Sequence, residues 1–226
     1  TGVGNTALGD DTLTDNVSGG QNIAIGINSL RRNTVSCNTS VGYNSLCNNT
    51  TGATNTAVGS LSLRSNTTAS NNTAVGLCAL YANTTGTINT AVGKESLRDN
   101  TTGDRNVAIG AETLVNNTTG LCNIAIGQGA LFTNSTADNN TAVGFSSLKC
   151  NTTGTLNTAV GVCSSFAMTT GQQNISMGGS SLAANTTGSR NSALGQSSLA
   201  VNVSGNDNVA VGHGSLSANT TSHENT

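Results

Sequence analysis

A five-residue phrase, Asn-Thr-Ala-Val-Gly in its clean form at Asn55, Thr56, Ala57, Val58 and Gly59, returns along the chain with a fixed period. Its leading Asn falls at Asn5, Asn22, Asn38, Asn55, Asn72, Asn89, Asn106, Asn123, Asn140, Asn157, Asn174, Asn191, Asn208 and Asn225. Every interval is seventeen residues except that from Asn22 to Asn38, which is sixteen. A period of this size is the signature of stacked repeat architectures, and chance does not produce such a register. The consensus reads N-T-A-V-G-x-x-S-L-x-x-N-T-T-G-x-x, and we number its positions 1 to 17. Thirteen full units make 1–226 a single repeat domain. The chain opens on the end of a unit, Thr1-Gly2, and stops on the start of one, Asn225-Thr226. The expectation is a segment of a longer or end-to-end assembled chain.

Within the unit, β-branched residues alternate across N-T-A-V-G, which suits a short pleated strand. Gly follows in all thirteen units, from Gly9 to Gly212, and reads as the corner that ends the strand. Position 9 is Leu in twelve units and Ser165 in the other, where Phe166 is expected to swing inward instead. N-T-T-G is turn chemistry. Two Gly and several β-branched residues in seventeen leave no room for a helical hairpin. The fold class expected is all-β: a parallel β-solenoid or β-roll of about thirteen 17-residue coils. Stacked at about 4.8 Å, these would form an elongated rod of roughly 60 Å. The position-4 residues (Val58, Val75, Ile109 and their copies) and the Leu are expected to form internal ladders. The leading Asn should stack on its copies through side-chain amides. The Ala at position 3, on the opposite strand face, either lines a narrow interior or packs against a partner chain.

Composition narrows the function classes. Charged residues are 8%, aromatics 2%, proline is absent and net charge is −2. Nothing here forms the basic footprint of a nucleic-acid binder, and no apolar run is long enough to insert in a membrane. Disorder is a poor reading, because a disordered tract needs no register.

The repeated phrase resembles the head repeats of trimeric autotransporter adhesins and related repeats of phage and giant-virus fibre proteins. The resemblance covers the whole chain. It implies a β-roll, usually with three chains side by side, that serves as an extracellular stalk or adhesive surface. The adhesin coil is typically shorter, near fourteen residues, and the N-T-T-G segment lengthens each coil here.

Position 12 completes an N-x-[S/T] acceptor for N-linked glycans in eleven units: Asn16, Asn49, Asn66, Asn83, Asn100, Asn117, Asn134, Asn151, Asn185, Asn202 and Asn219. Asn33 and Met168 break the series. Asn38, Asn174, Asn48, Asn71, Asn116 and Asn139 also match. A glycan ridge would give a weakly charged chain its solubility, whereas the bland reading of N-T-T-G is a good turn. The six cysteines, Cys37, Cys47, Cys78, Cys122, Cys150 and Cys163, suggest disulfides. Cys37 with Cys47 and Cys150 with Cys163 are near enough in sequence to staple adjacent coils, while Cys78 and Cys122 would bridge chains. The alternative is buried thiols.

No enzyme is expected. There is no C-x-x-C, the only histidines are His213 and His223, and Asp10-Asp11 lacks the surrounding pattern of a calcium repeat. The Ser residues are repeat positions with no accompanying base. Neither a metal nor a cofactor is implied. The expected function is a structural subunit of an extracellular filament or fibre, with copies of itself as partners. The alternatives are an adhesin or tail-fibre shaft that binds a receptor or surface glycan, and an ice-binding solenoid.

Overall fold

The computed structural model describes residues 2–226. The chain is an all-β parallel β-solenoid with thirteen three-residue strands. It divides into two compact units, Thr1–Ala111 with Asn116–Thr119, and Glu112–Val115 with Gly120–Thr226. The first holds β1 (Thr6–Leu8), β2 (Ile23–Ile25), β3 (Thr39–Val41), β4 (Thr56–Val58), β5 (Thr73–Val75), β6 (Thr90–Val92) and β7 (Val107–Ile109). The second holds β8 (Ile124–Ile126), β9 (Thr141–Val143), β10 (Thr158–Val160), β11 (Ile175–Met177), β12 (Ser192–Leu194) and β13 (Val209–Val211). Within each unit, consecutive strands pair in parallel, each position on its own copy: Ala57 on Ala74, Val58 on Val75, and Ala159 on Ser176.

The strand faces the opposite way to the one its residue sizes suggest. Ala at position 3 is the inward residue, fully buried at Ala57, Ala74, Ala91, Ala142 and Ala193. Positions 2 and 4 point outward; Val58 is 37% and Ile109 40% exposed. The expected internal Val/Ile ladder is therefore an external one, and the small-residue face lines the interior. The cause is the narrowness of the coil. Leu at position 9 is fully buried in coil after coil, from Leu30 to Leu199. With Leu occupying the interior, a methyl group fits opposite it and a second branched side chain does not. β-Branched residues at positions 2 and 4 still favour the extended backbone and cover one another along the axis.

The corner after the strand requires Gly. Gly59 has φ of 134°, and a Cβ there would lie 2.5 Å from the carbonyl oxygen of Gly76 in the next coil. The coil then turns through left-handed backbone that ordinary residues must tolerate. Leu61, Leu63 and Asn71, at positions 7, 9 and 17 of one coil, have φ of 62°, 48° and 61°.

Departures from consensus come in compensating sets. Where Ser40 replaces Ala, its hydroxyl pairs with Ser29 at position 8 of the preceding coil and with Ser45 at position 8 of its own. Where Ser165 replaces Leu, its hydroxyl lies 2.8 Å from that of Ser176, the other Ser at position 3. Phe166 does not swing inward; it stays half-buried, and Lys149 Nζ sits 5.9 Å from its ring centroid. The large buried apolar side chain of that coil is Met168, three residues on.

Candidate functional site

Where a coil has both its Asn, the two meet at one atom. Asn55 Nδ2 and Asn66 Nδ2 donate to the carbonyl oxygen of Ala69, at 2.8 and 2.9 Å. Asn72 and Asn83 do the same at Gly86, and Asn140 and Asn151 at Gly154. The first Asn also accepts, through Oδ1, the backbone N–H of its copy in the next coil, as from Asn72 to Asn55 at 3.0 Å. The second Asn donates to the Oδ1 of its copy one coil earlier, as from Asn83 to Asn66 at 3.0 Å. Two polar ladders thus run along the interior, their amides satisfied by one another except at Asn151 Oδ1, and that pairing makes burial of so many amides tolerable.

This geometry corrects the glycan ridge. Asn49, Asn66, Asn83, Asn100, Asn117, Asn134, Asn151, Asn185 and Asn202 are fully buried. A glycan replaces a hydrogen on Nδ2, and in Asn83 that nitrogen donates to both Asn66 Oδ1 and Gly86 O. The folded coil leaves the sugar neither a bond nor space. Asn16 and Asn219, the remaining position-12 acceptors, are half-buried, and their Nδ2 atoms donate to Gly19 and to Asn202 and Ser222. Asn38 and Asn174 are buried in the first ladder. Asn48 and Asn116 are half-buried, whereas Asn71 and Asn139, both at position 17, are exposed. One signal in the sequence marks the burial of the second Asn: the residue that replaces it at 168 is an apolar Met.

The six cysteines are all free thiols, so the staples from Cys37 to Cys47 and from Cys150 to Cys163 are not formed. Residues of adjacent coils face one another when they occupy the same repeat position. Cys37 and Cys47 occupy positions 17 and 10, and Cys150 and Cys163 positions 11 and 7. Cys78 is half-buried; burial, and then the nearby Glu95 carboxylate, push its thiol pKa upward, away from the reactive thiolate. The irregular turn preceding Cys37 is closed another way. The coil lacks one turn residue, and the carbonyl of Val35 accepts from Asn22 at 2.8 Å and Asn33 at 2.6 Å.

Charge is confined to the corners. All eight Lys/Arg and all ten Asp/Glu residues fall at positions 6, 7, 10, 11, 16 or 17. None lies on the strand or in N-T-T-G. Arg98 contacts Asp99 at 2.8 Å and Glu95 at 3.1 Å, and its hydrogen bond to Asp99 raises its already high pKa. Arg190 grips Asp207 one coil later with two bonds of 2.6 and 2.8 Å, which lowers the Asp207 pKa. His223 Nδ1 accepts the backbone N–H of Asn206. Among the described residues, no group of three or more His, Cys, Asp or Glu side chains is placed to share a metal ion, and no helix is long and apolar enough to cross a membrane.

The outward strand face is the opposite of these corners. It carries Thr, Ile, Val or Ser at position 2 and Leu, Ile, Val or Met at position 4, repeated coil by coil. Exposures of 41% at Ile23, 40% at Ile124 and 45% at Met177 leave an apolar surface open along it. No protein-family model matches the chain, and no curated protein matches it.

Proposed function

We propose that the chain is a shaft segment of an extracellular fibre whose copies associate side by side through the outward face of their strands. The observation that carries this reading is the uncharged, partly apolar strand face present in all thirteen coils. Charged side chains stand at the corners beside it, where they limit unwanted contact from other directions. Apolar surface of this regularity marks association in a protein that is otherwise well satisfied internally. The adhesin-head and viral-fibre repeats that the sequence resembles usually have three chains side by side, and that resemblance is what supports an extracellular location. An interior filled by stacked amides and Leu suits a mechanical element, because every coil repeats the same bonds.

Sedimentation velocity of the purified chain tests the reading, with electron microscopy of the same sample. Oligomers of defined size, or laterally bundled fibres, are expected. Val58→Lys with Ile126→Lys places one charge on the face of each unit and should dissociate them. A monomer at every concentration overturns the proposal.

A further inference from the structure

The coil that begins at Asn123 carries a notch walled by both its neighbours, and we infer that the notch is a binding site for a single neutral sugar ring. Position 7 carries a side chain in most coils, but Gly129 has none. Above and below it stand Glu112 and Ser146 at the same position of the flanking coils. The result is a cleft of about 210 Å³ whose walls include Phe132, Phe145, Gln128 and Lys149, all within the second compact unit.

Three observations define what it would take. The first is where the aromatics lie. The chain has three phenylalanines; two of them wall this cleft, and the third, Phe166, carries the Lys149 ammonium over its ring. Phe145 is 52% exposed, an unfavourable placement for a phenyl ring with nothing stacked on it. The second is polar balance. Glu112 and Gln128 offer acceptors, Lys149 and Gln128 offer donors, and the one negative and one positive charge cancel. A charged ligand gains little here, whereas a neutral polyhydroxylated ring with one apolar face meets both surfaces. The third is size. The cleft is smaller than the roughly 300–1,000 Å³ of sites for drug-sized ligands, so it holds one ring rather than a chain. With about a dozen heavy atoms at ordinary ligand efficiency, affinity for a monosaccharide is on the order of 1 mM.

The repeat supplies its own control. Asn28 and Asn44 occupy the same position in other coils, with φ of 59° and 54°, close to the 68° of Gly129. A Cβ on Gly129 would meet nothing nearer than Ser146 Oγ at 3.4 Å. Gly129→Asn therefore fills the notch on a backbone that Asn28 and Asn44 already adopt, at a small conformational cost. The experiment is an NMR titration of the full chain with glucose, galactose, mannose and N-acetylglucosamine in turn, and with indole as a flat apolar probe. At least one sugar should give saturable shifts centred on Gly129, Phe132 and Phe145. Gly129→Asn should abolish them while the chain keeps its cooperative melt, and Phe145→Ala should weaken binding about tenfold. No saturable shift with any of the four sugars overturns the inference. So does binding of indole alone, which would assign the notch to a protein side chain, or shifts that persist in Gly129→Asn.

Discussion

Asn151 Oδ1 is buried without a hydrogen-bond donor, and the residue one coil further along the ladder is Met168. In coils such as those of Asn66, Asn83 and Asn100 that place is held by an Asn whose Nδ2 completes the bond. The gap has a second side: of the two bonds that Asn83 Nδ2 makes, Asn185 Nδ2 keeps only the one to Gly188 O. An unsatisfied buried acceptor costs about 1–3 kcal/mol. Met168→Asn alone should recover little of it, because Met168 is the large buried apolar side chain of a coil that has Ser165 in place of Leu. The triple change Ser165→Leu, Met168→Asn and Ser176→Ala restores the consensus core and should stabilise the chain by about 1–3 kcal/mol. Thermal melts of the single and triple variants should show a gain in the triple well above the sum of the parts.

Removing the donor from an intact ladder should have the opposite effect. Asn83→Asp replaces Nδ2 with oxygen, so the 3.0 Å contact with Asn66 Oδ1 and the 2.9 Å contact with Gly86 O become repulsive. The new carboxylate is buried without a cation. We expect a loss of about 3–5 kcal/mol at neutral pH, partly recovered in acid as the carboxyl takes up a proton and regains one donor. Denaturant titrations at two pH values read both effects.

Glycan occupancy should follow burial and ignore the number of matching tripeptides. Secreted from a host that adds N-linked glycans, the folded chain should carry them at Asn71 and Asn139, the exposed acceptors at position 17, and not at Asn83 or Asn100. Peptide mass spectrometry with and without glycosidase reads the four sites directly. Shifted Asn83 and Asn100 peptides from folded material would contradict the buried ladder.

Backbone strain offers a separate handle. Ile88 sits at position 17 with φ of 59° and is 53% exposed. Left-handed backbone costs an L-residue about 1–2 kcal/mol, and Asn tolerates it best after Gly. Ile88→Asn should therefore stabilise the chain by about 1 kcal/mol. For a chain of this length that corresponds to a rise of about 2–4 °C in melting temperature, measurable by circular dichroism.

Stability should vary little with pH across the neutral range. The groups that hold the interior are amides, hydroxyls and Leu, none of which titrates. Asp207 contributes in one direction only. Its pKa is lowered by its hydrogen bond to Arg190, so its stabilisation is present above the unfolded carboxylate value of about 3.9 and fades as pH falls through the lowered one. Both partners are exposed, which keeps the effect small. Melting temperature should stay flat from about pH 5 to 9; a midpoint near neutrality would mean that a titrating group holds the interior.

The period, the strand positions, the Leu ladder and the first Asn ladder could all be read from the sequence, because each depends on register alone. Strand orientation could not. Thr-Ala-Val has outward positions on both sides of one inward residue, and nothing in three residues says which set is which. The answer lies with Leu63, five residues beyond the strand and past the Gly corner, whose bulk leaves space only for Ala57 and its copies. The second Asn ladder was hidden by its own composition: an Asn followed by two Thr and a Gly reads equally as a surface turn. The notch at Gly129 was hidden because it exists only when Glu112, Phe132, Phe145 and Lys149 from three coils are brought together.

The sixteen-residue coil shows which part of the repeat can change length. One residue of the turn is missing between Thr34 and Ser36, yet Val35 presents its carbonyl to Asn22 and Asn33 as Gly86 does to Asn72 and Asn83. The pairing of Ile23 with Thr39 and Ile25 with Val41 is undisturbed. What closes the coil is therefore a single oxygen in the right place, not a residue count. That corner is a natural splice point, where a lineage or a designer could lengthen the loop and graft a recognition peptide while every internal ladder keeps its register.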